Sequence, residues 1–160
     1  MESTNNYTKT QLSSLVALRV CIGWYFLYEG LAKFFTNGWT AYGYLMDSKG
    51  WFAPIFSFIA ENSSLMGIAD TLTIYGLILV GLSLMLGCFS RLGAWGATLF
   101  LMLFYFSHPP MLDSTYLLPT EGSYLWIDKN MVMLVASIVT LVFPTSKKIG
   151  FDRFIYKFIK

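Results

Sequence analysis

Three ionisable residues lie inside the first long apolar stretch of the chain. Arg19, Glu29 and Lys33 all fall between Leu12 and Phe35. An ionisable side chain in a segment that spans lipid is costly, so each is a candidate for binding or proton transfer. At about 100° per residue, the two cations share a helix face with Gly23, Phe26 and Gly30. Glycine faces pack against neighbouring helices in lipid, so we expect both cations to point into the protein.

Five ionisable residues are predicted to meet at one end of the apolar stretches. Glu29 and Lys33 have the i,i+4 spacing of an ion pair. The order of the stretches brings three further residues to the same end: Asp70, His108 and Asp128. Structural roles stay open as alternatives, since carboxylates stabilise helix N-termini and a residue before proline often ends a helix. Arg19 lies about 15 Å of helix rise from Glu29 and could instead satisfy backbone carbonyls or snorkel.

Several chemistries are excluded by composition and spacing. His108 is the only histidine, which rules out a haem held by two histidines. No Cys/His cluster has zinc-site spacing, and no glycine-rich phosphate loop is present. We therefore expect no haem, zinc or nucleotide. The net charge of +2 is too small to suggest a nucleic-acid partner.

The low charge content indicates lipid as the solvent of this chain. Of the 160 residues, 56% are hydrophobic and only 12% are charged, with a mean hydropathy of +0.57. Soluble domains carry roughly 25% charged residues, so this chain has too few to keep its surface in water. The length fits one domain, and we take residues 1–160 as a single membrane domain in contact with the bilayer.

Four apolar stretches are predicted to cross the membrane, for which about 20 residues are needed. They cover residues 12–35, 66–89, 92–108 and 127–143. The last two are short and require a thin bilayer, little tilt or snorkelling at their ends. The pattern predicts an all-α integral membrane protein, a bundle of four transmembrane helices.

The distribution of basic residues predicts which side each end occupies. One side holds Lys9, Arg91, Lys147, Lys148, Arg153, Lys157 and Lys160, and the other holds Lys33, Lys49 and Lys129. Basic residues resist translocation, so the richer side is cytoplasmic. We expect a multi-pass protein of a bacterial or archaeal cytoplasmic membrane with both termini in the cytoplasm.

Two segments outside the predicted spans have a distinct character. Residues 39–60 between the first two spans are rich in Trp, Tyr and Phe, which favour the membrane interface. This segment should lie along the outer surface or fold over the mouth of the bundle. The tail from Lys147 to Lys160 alternates basic with apolar residues, which is typical of an amphipathic helix on the inner leaflet.

Two stretches give the chain a resemblance to the DoxX/DoxD family of small membrane proteins. The first is Leu18-Arg19 with Gly23, Phe26, Leu27, Gly30, Leu31, Ala32 and Lys33, which is similar to the family's first-helix signature. The second is Gly87-Cys88-Phe89-Ser90-Arg91-Leu92-Gly93-Ala94, similar to its turn between helices two and three. The resemblance implies the same order of four spans along nearly the whole chain.

The resemblance also implies a redox role. The family takes its name from the membrane subunit of a thiosulfate:quinone oxidoreductase, so quinone is the expected cofactor and an electron-donating subunit the expected partner. Stacking on the quinone ring would come from Tyr25, Phe26 and Tyr28. Arg19 or His108 would donate a hydrogen bond to it. Lys33 would capture thiosulfate.

A non-enzymatic function is the open alternative. A membrane scaffold, a chaperone or a small-solute carrier could use the same polar mouth, and Glu29 or Asp70 would then supply a titrating carboxylate. The sequence leaves open whether the protein is an enzyme and whether it forms a homo-oligomer.

Overall fold

The computed structural model of the protein describes residues 7–110, 116–117 and 126–159. Within these residues the chain forms seven α-helices and no β-strand. The helices are α1 (Lys9–Phe35), α2 (Tyr42–Met46), α3 (Ala53–Glu61), α4 (Ser63–Leu86), α5 (Ser90–Ser107), α6 (Lys129–Val142) and α7 (Asp152–Ile159).

Local capping residues determine where the long helices begin and end. Thr8 and Gln11 form a reciprocal capping box at the start of α1, which satisfies two backbone N–H groups. Asn62 accepts hydrogen bonds from two backbone N–H groups and starts α4. Gly87, with φ of 66°, ends α4 in the left-handed conformation that glycine adopts at little cost. Asp128 caps α6 by accepting from the Met131 N–H at 2.8 Å.

The four long helices α1, α4, α5 and α6 pack around one core. α1 lies against α4 and α6, and α5 lies against the same two helices. The side chains at the centre are almost fully buried and are Phe26, Leu77, Leu84, Ala97 and Leu101. We call this packing the four-helix core. The end where α5 finishes is the histidine end, and the opposite end is the arginine end.

Glycines allow α1 and α4 to approach closely. A Cβ atom on Gly23 would lie 2.8 Å from the Met85 backbone nitrogen, and one on Gly30 would lie 2.8 Å from that of Ile78. Real Cβ atoms essentially never come that close. This glycine face of α1 also carries the buried Arg19 and Phe26, so it packs inward as its composition predicts.

The four predicted spans correspond to α1, α4, α5 and α6, with shifted ends. The second span begins at Ser63 rather than 66 because Asn62 is a cap, and it stops at Leu86 before the left-handed Gly87. The fourth begins at Lys129 because Asp128 is a cap. By length and composition, α1 and α4 are suited to cross a membrane, and α6 is a shorter apolar helix.

The segment between α1 and α4 folds back over the histidine end. Residues 39–60 contain α2 and α3. Just after α2, the Ser48 hydroxyl and the Lys49 N–H both donate to the carbonyl of Ser107, at 2.8 and 3.1 Å. These bonds satisfy a carbonyl at the end of α5 that has no helical partner.

Candidate functional site

His108 lies at the histidine end as the residue that caps α5. Its side chain is buried, and its imidazole stacks on Tyr44 with ring centroids 4.0 Å apart. The ring of Tyr116 lies 4.8 Å away at an angle of 36°. The histidine is therefore held between two aromatic rings that belong to different segments of the chain.

The two imidazole nitrogens have different surroundings. Nδ1 lies 3.1 Å from the Ser107 hydroxyl. Nε2 is buried and has no hydrogen-bond partner among the described residues, and the nearest carboxylate oxygen of Asp47 is 3.9 Å away. Asp47 is itself occupied, because it accepts a hydrogen bond from the Leu117 N–H at 2.9 Å. We refer to Tyr44, Asp47, Ser107, His108 and Tyr116 as the His108 cluster.

Tyr44 connects the His108 cluster to the four-helix core. Its hydroxyl donates to the Phe104 carbonyl at 3.3 Å, and its ring packs edge-on against Phe104. Burial raises the pKa of the Tyr44 hydroxyl, and the nearby charge of Asp128 raises it further, although a hydrogen bond with Ser107 opposes the shift. Tyr44 is therefore a neutral phenol at physiological pH.

Tyr25 and Phe26 extend the aromatic surroundings into α1. Their ring centroids lie 5.6 Å apart in an edge-on arrangement, and the centroid of Phe26 lies 6.3 Å from that of Phe100. The Lys129 ammonium lies 5.0 Å from the centre of the Tyr25 ring, within the range of a cation–π interaction. Phe26 is fully buried in the core, whereas Tyr28 is 62% exposed. Of the three aromatic residues predicted to stack on a quinone, Tyr25 and Phe26 thus belong to the aromatic contacts inside the protein, and Tyr28 faces outward.

Glu29 and Lys33 form the ion pair that their spacing predicts. The Lys33 ammonium bonds to the Glu29 carboxylate, and it also lies 5.7 Å from the centre of the Trp39 ring. Among the described residues, neither side chain makes a hydrogen bond or an ion pair with the His108 cluster. The pair is partly exposed, and its aromatic neighbour outside α1 is Trp39 rather than His108.

The two aspartates predicted at this end have separate structural contacts. Asp70 lies in the second turn of α4, beyond the reach of a helix-end role, because the helix already begins at Ser63. Its carboxylate instead accepts a hydrogen bond from the Ala41 N–H at 2.8 Å, which ties α4 to the start of α2. Asp128 caps α6, and its negative charge raises the pKa of the Tyr44 hydroxyl.

Arg19 lies at the arginine end, where it binds the segment after α6. Its guanidinium donates to the Thr145 hydroxyl at 3.0 Å and to the Ile149 carbonyl at 2.9 Å. The Arg19 side chain is buried, and the negative charge of Asp152 favours the charged form of its guanidinium. Arg19 is therefore remote from the His108 cluster, and its contacts satisfy polar groups of the chain itself.

Asp152 joins the C-terminal segment to the turn between α4 and α5. Its carboxylate accepts from the N–H groups of Phe89 and Ser90, at 2.6 and 3.2 Å, and from the Ser90 hydroxyl at 3.1 Å. The Asp152 N–H donates to the Gly87 carbonyl at 2.8 Å. Burial alone would raise the pKa of Asp152, but these bonds and one from Ser146 lower it. We call residues 145–152 the C-terminal latch.

Sequence reasoning missed the residues that complete both polar regions. Tyr44 and Asp47 lie in the aromatic segment, whose composition indicated an interface but gave no register against α5. Asp152 lies in the tail, outside the predicted spans. The N–H groups of Phe89 and Ser90 need an acceptor at the start of α5, but no sequence pattern indicates that an acid 62 residues after Ser90 supplies it.

No arrangement suited to a metal ion is found in the part of the chain that the structure describes. No group of three or more His, Cys, Asp or Glu side chains comes together there. The His108 cluster offers aromatic rings, a buried imidazole and the Asp47 carboxylate, which can hydrogen-bond an uncharged polar ligand and exchange protons with it.

Comparisons with known proteins identify the family. No curated protein and no solved structure matches the chain. A family profile described as DoxX matches residues 14–109, which is more than half of the sequence. The match includes Arg19, His108 and the turn after α4, and the chain belongs to the DoxX family of membrane proteins.

Proposed function

We propose that α1, α4, α5 and α6 all cross the membrane, with both termini on the cytoplasmic side. Each of the four helices carries large apolar side chains that are more than half exposed, for example Trp24, Leu79, Leu99 and Val135. Such surfaces are expected to face lipid. At 1.5 Å per residue, α6 is only about 21 Å long, so the bilayer must thin or flanking residues must snorkel around it.

We further propose that the protein is the membrane subunit of a redox system and binds a quinone headgroup at the His108 cluster. The supporting observation is the buried Nε2 atom of His108, which has no hydrogen-bond partner among the described residues. Leaving such a group unsatisfied costs about 1–3 kcal/mol. A ligand carbonyl oxygen that accepts from Nε2 would remove this cost.

The charges around the cluster favour a neutral ligand. The negative charge of Asp47 favours the protonated form of His108, and the positive charge of Lys49 disfavours it. Lys129 and Asp128 are adjacent in sequence and lie near Tyr25 and Tyr44. The cations and carboxylates balance, so a quinone fits better than a doubly charged thiosulfate ion. The charge of Lys33 is matched by Glu29, which weakens the role predicted for it in binding thiosulfate.

The residues of the cluster would position the ligand and manage its protons. A quinone accepts two electrons and two protons to become a quinol. His108 would donate a hydrogen bond from Nε2 to one carbonyl oxygen, with its ring fixed by Tyr44 and Tyr116. The imidazole would give one proton to that oxygen and recover it from water through Asp47, whose carboxylate oxygen lies 3.9 Å from Nε2. The other carbonyl oxygen would take its proton from water. The electrons would come from a partner subunit that oxidises a donor such as thiosulfate.

Equilibrium binding of a short-chain quinone to the purified protein tests this proposal. The wild type should bind saturably, and His108→Phe should bind about tenfold more weakly or worse. Phenylalanine keeps a ring between Tyr44 and Tyr116 but has no nitrogen, and one hydrogen bond to a buried group is worth about 1–3 kcal/mol. Tyr42→Phe is the matched control, since Tyr42 is 47% exposed and should leave binding unchanged.

The same preparations address the rival function. If the wild type binds no quinone, the redox proposal is wrong. Proton uptake into liposomes that depends on a solute and disappears in Glu29→Gln would then assign a carrier, with the Glu29–Lys33 pair on its path.

A further inference from the structure

An open groove lies between the C-terminal latch and the end of α4. Its volume is about 320 Å³. The lining combines basic with apolar side chains and consists of Leu86, Lys148, Ile149, Gly150, Phe151, Arg153 and Phe154. Among these residues the only formal charges are the two cations. Quinone binding at the histidine end makes no use of this groove.

The apolar residues of the groove are exposed to about the same degree as those on the outer faces of the long helices. Phe151 and Phe154 are 54% and 58% exposed, and Ile149 and Leu86 are each close to one half. The rings of Phe151 and Phe154 lie 6.3 Å apart. Phe151, just before α7, and Phe154, in its first turn, thus present an aromatic edge next to Arg153, an arrangement typical of helices that lie in the membrane interface.

The groove is built directly on the latch that holds Arg19. The Phe151 N–H donates to the Leu86 carbonyl at 3.1 Å, and the Ile149 carbonyl accepts from Arg19. Gly87 and Gly150 come so close that a Cβ on Gly87 would lie 2.9 Å from the Gly150 Cα. Any ligand that fixes residues 148–154 would therefore also fix the turn after α4 and the Ile149 carbonyl to which Arg19 donates.

We propose that this groove binds the headgroup of an anionic phospholipid, and that the bound lipid stabilises the C-terminal latch. Two cations complement a phosphate, and exposed Leu86, Phe151 and Phe154 complement the adjoining acyl chains. Free phosphate would not explain the apolar half of the groove. The inference rests on the membrane location of the arginine end and is independent of quinone binding.

Lipid nanodiscs provide the test. The full-length protein is placed in phosphatidylcholine alone and in phosphatidylcholine with phosphatidylglycerol in equal parts. Phosphatidylglycerol should raise the unfolding temperature of the wild type and slow hydrogen exchange at the Phe151 and Asp152 amides. A double variant, Lys148→Gln with Arg153→Gln, should bind phosphatidylglycerol about 25-fold more weakly, at about fivefold per basic residue near an anionic surface, and lose both effects.

Arg91→Gln is the matched control, because Arg91 is an exposed cation at the same end but does not line the groove. It should retain the response to phosphatidylglycerol. An equal loss in Arg91→Gln would show diffuse surface charge rather than a site and would overturn the proposal. So would an unchanged response in the double variant, or the same stabilisation by inorganic phosphate in phosphatidylcholine alone. Quinone binding measured in the same nanodiscs should be unchanged in the double variant, which separates this inference from the redox proposal.

Discussion

Removing the Asp152 carboxylate should destabilise the protein by about 3–5 kcal/mol. Asp152 is 6% exposed, and its carboxylate accepts three hydrogen bonds from Phe89 and Ser90. Hydrogen bonds to a charged group contribute about 1.5–3 kcal/mol each, but bonds to one group do not add fully. Asp152→Ala also removes the negative charge that acts on the buried Arg19 side chain.

Unfolding in mixed micelles titrated with sodium dodecyl sulfate would measure this loss. Asp152→Asn should cost about 2 kcal/mol, because a neutral amide oxygen still accepts hydrogen bonds but roughly half as strongly. Glu61→Gln is the control, since Glu61 is an exposed acid, and surface changes of this kind stay within about 0.5 kcal/mol. An Asp152→Ala protein within about 1 kcal/mol of wild type would refute the idea that the latch holds the arginine end together.

Three further predictions concern packing, pH and topology. Gly81→Ala should lower the unfolding temperature strongly, because the added Cβ would lie 2.7 Å from the Leu27 Cα, whereas the Cβ of Gly43→Ala meets nothing within 4 Å and this control should be tolerated. Equal thermal stability of the two variants would contradict the close contact of α1 and α4. Because the pKa of Asp152 is lowered in the folded protein, its contribution to the free energy of unfolding should be complete above the usual pKa range of Asp and disappear as the pH falls through the folded pKa. In a pH series of unfolding midpoints, Asp152→Asn should reduce the loss of stability at acid pH. Reporter fusions at the C terminus should be cytoplasmic and a fusion at Lys49 external, and a cytoplasmic reporter at Lys49 would reverse the proposed orientation.

The helices could be predicted from the sequence because apolar length is a local property. Their ends were less accurate, since α4 depends on a side-chain cap at Asn62 and on the left-handed Gly87. The inward face of α1 was also predictable, because Gly23 and Gly30 mark where another backbone must approach. A periodic pattern within one helix carries this information without reference to the rest of the chain.

The polar contacts were much harder to predict, because they join distant parts of the chain. Glu29 and Lys33 pair within one helix, so their spacing alone predicts the bond. His108 stacks on Tyr44, and the register between α2 and α5 is determined by the Ser48 and Lys49 bonds to Ser107. Arg19 meets residues more than a hundred positions later, in a tail whose composition suggested only a membrane anchor.

Photo-crosslinking with an azidoquinone shows whether a quinone binds at the His108 cluster. The quinone is added to the purified protein in nanodiscs, and the sample is illuminated. The labelled residues are then mapped by mass spectrometry. We expect label on residues 44–49 and 104–110 that is competed by unlabelled quinone and lost in His108→Phe. Label that is concentrated around Arg19 at the opposite end, or that an excess of unlabelled quinone does not reduce, would contradict a quinone site at the His108 cluster.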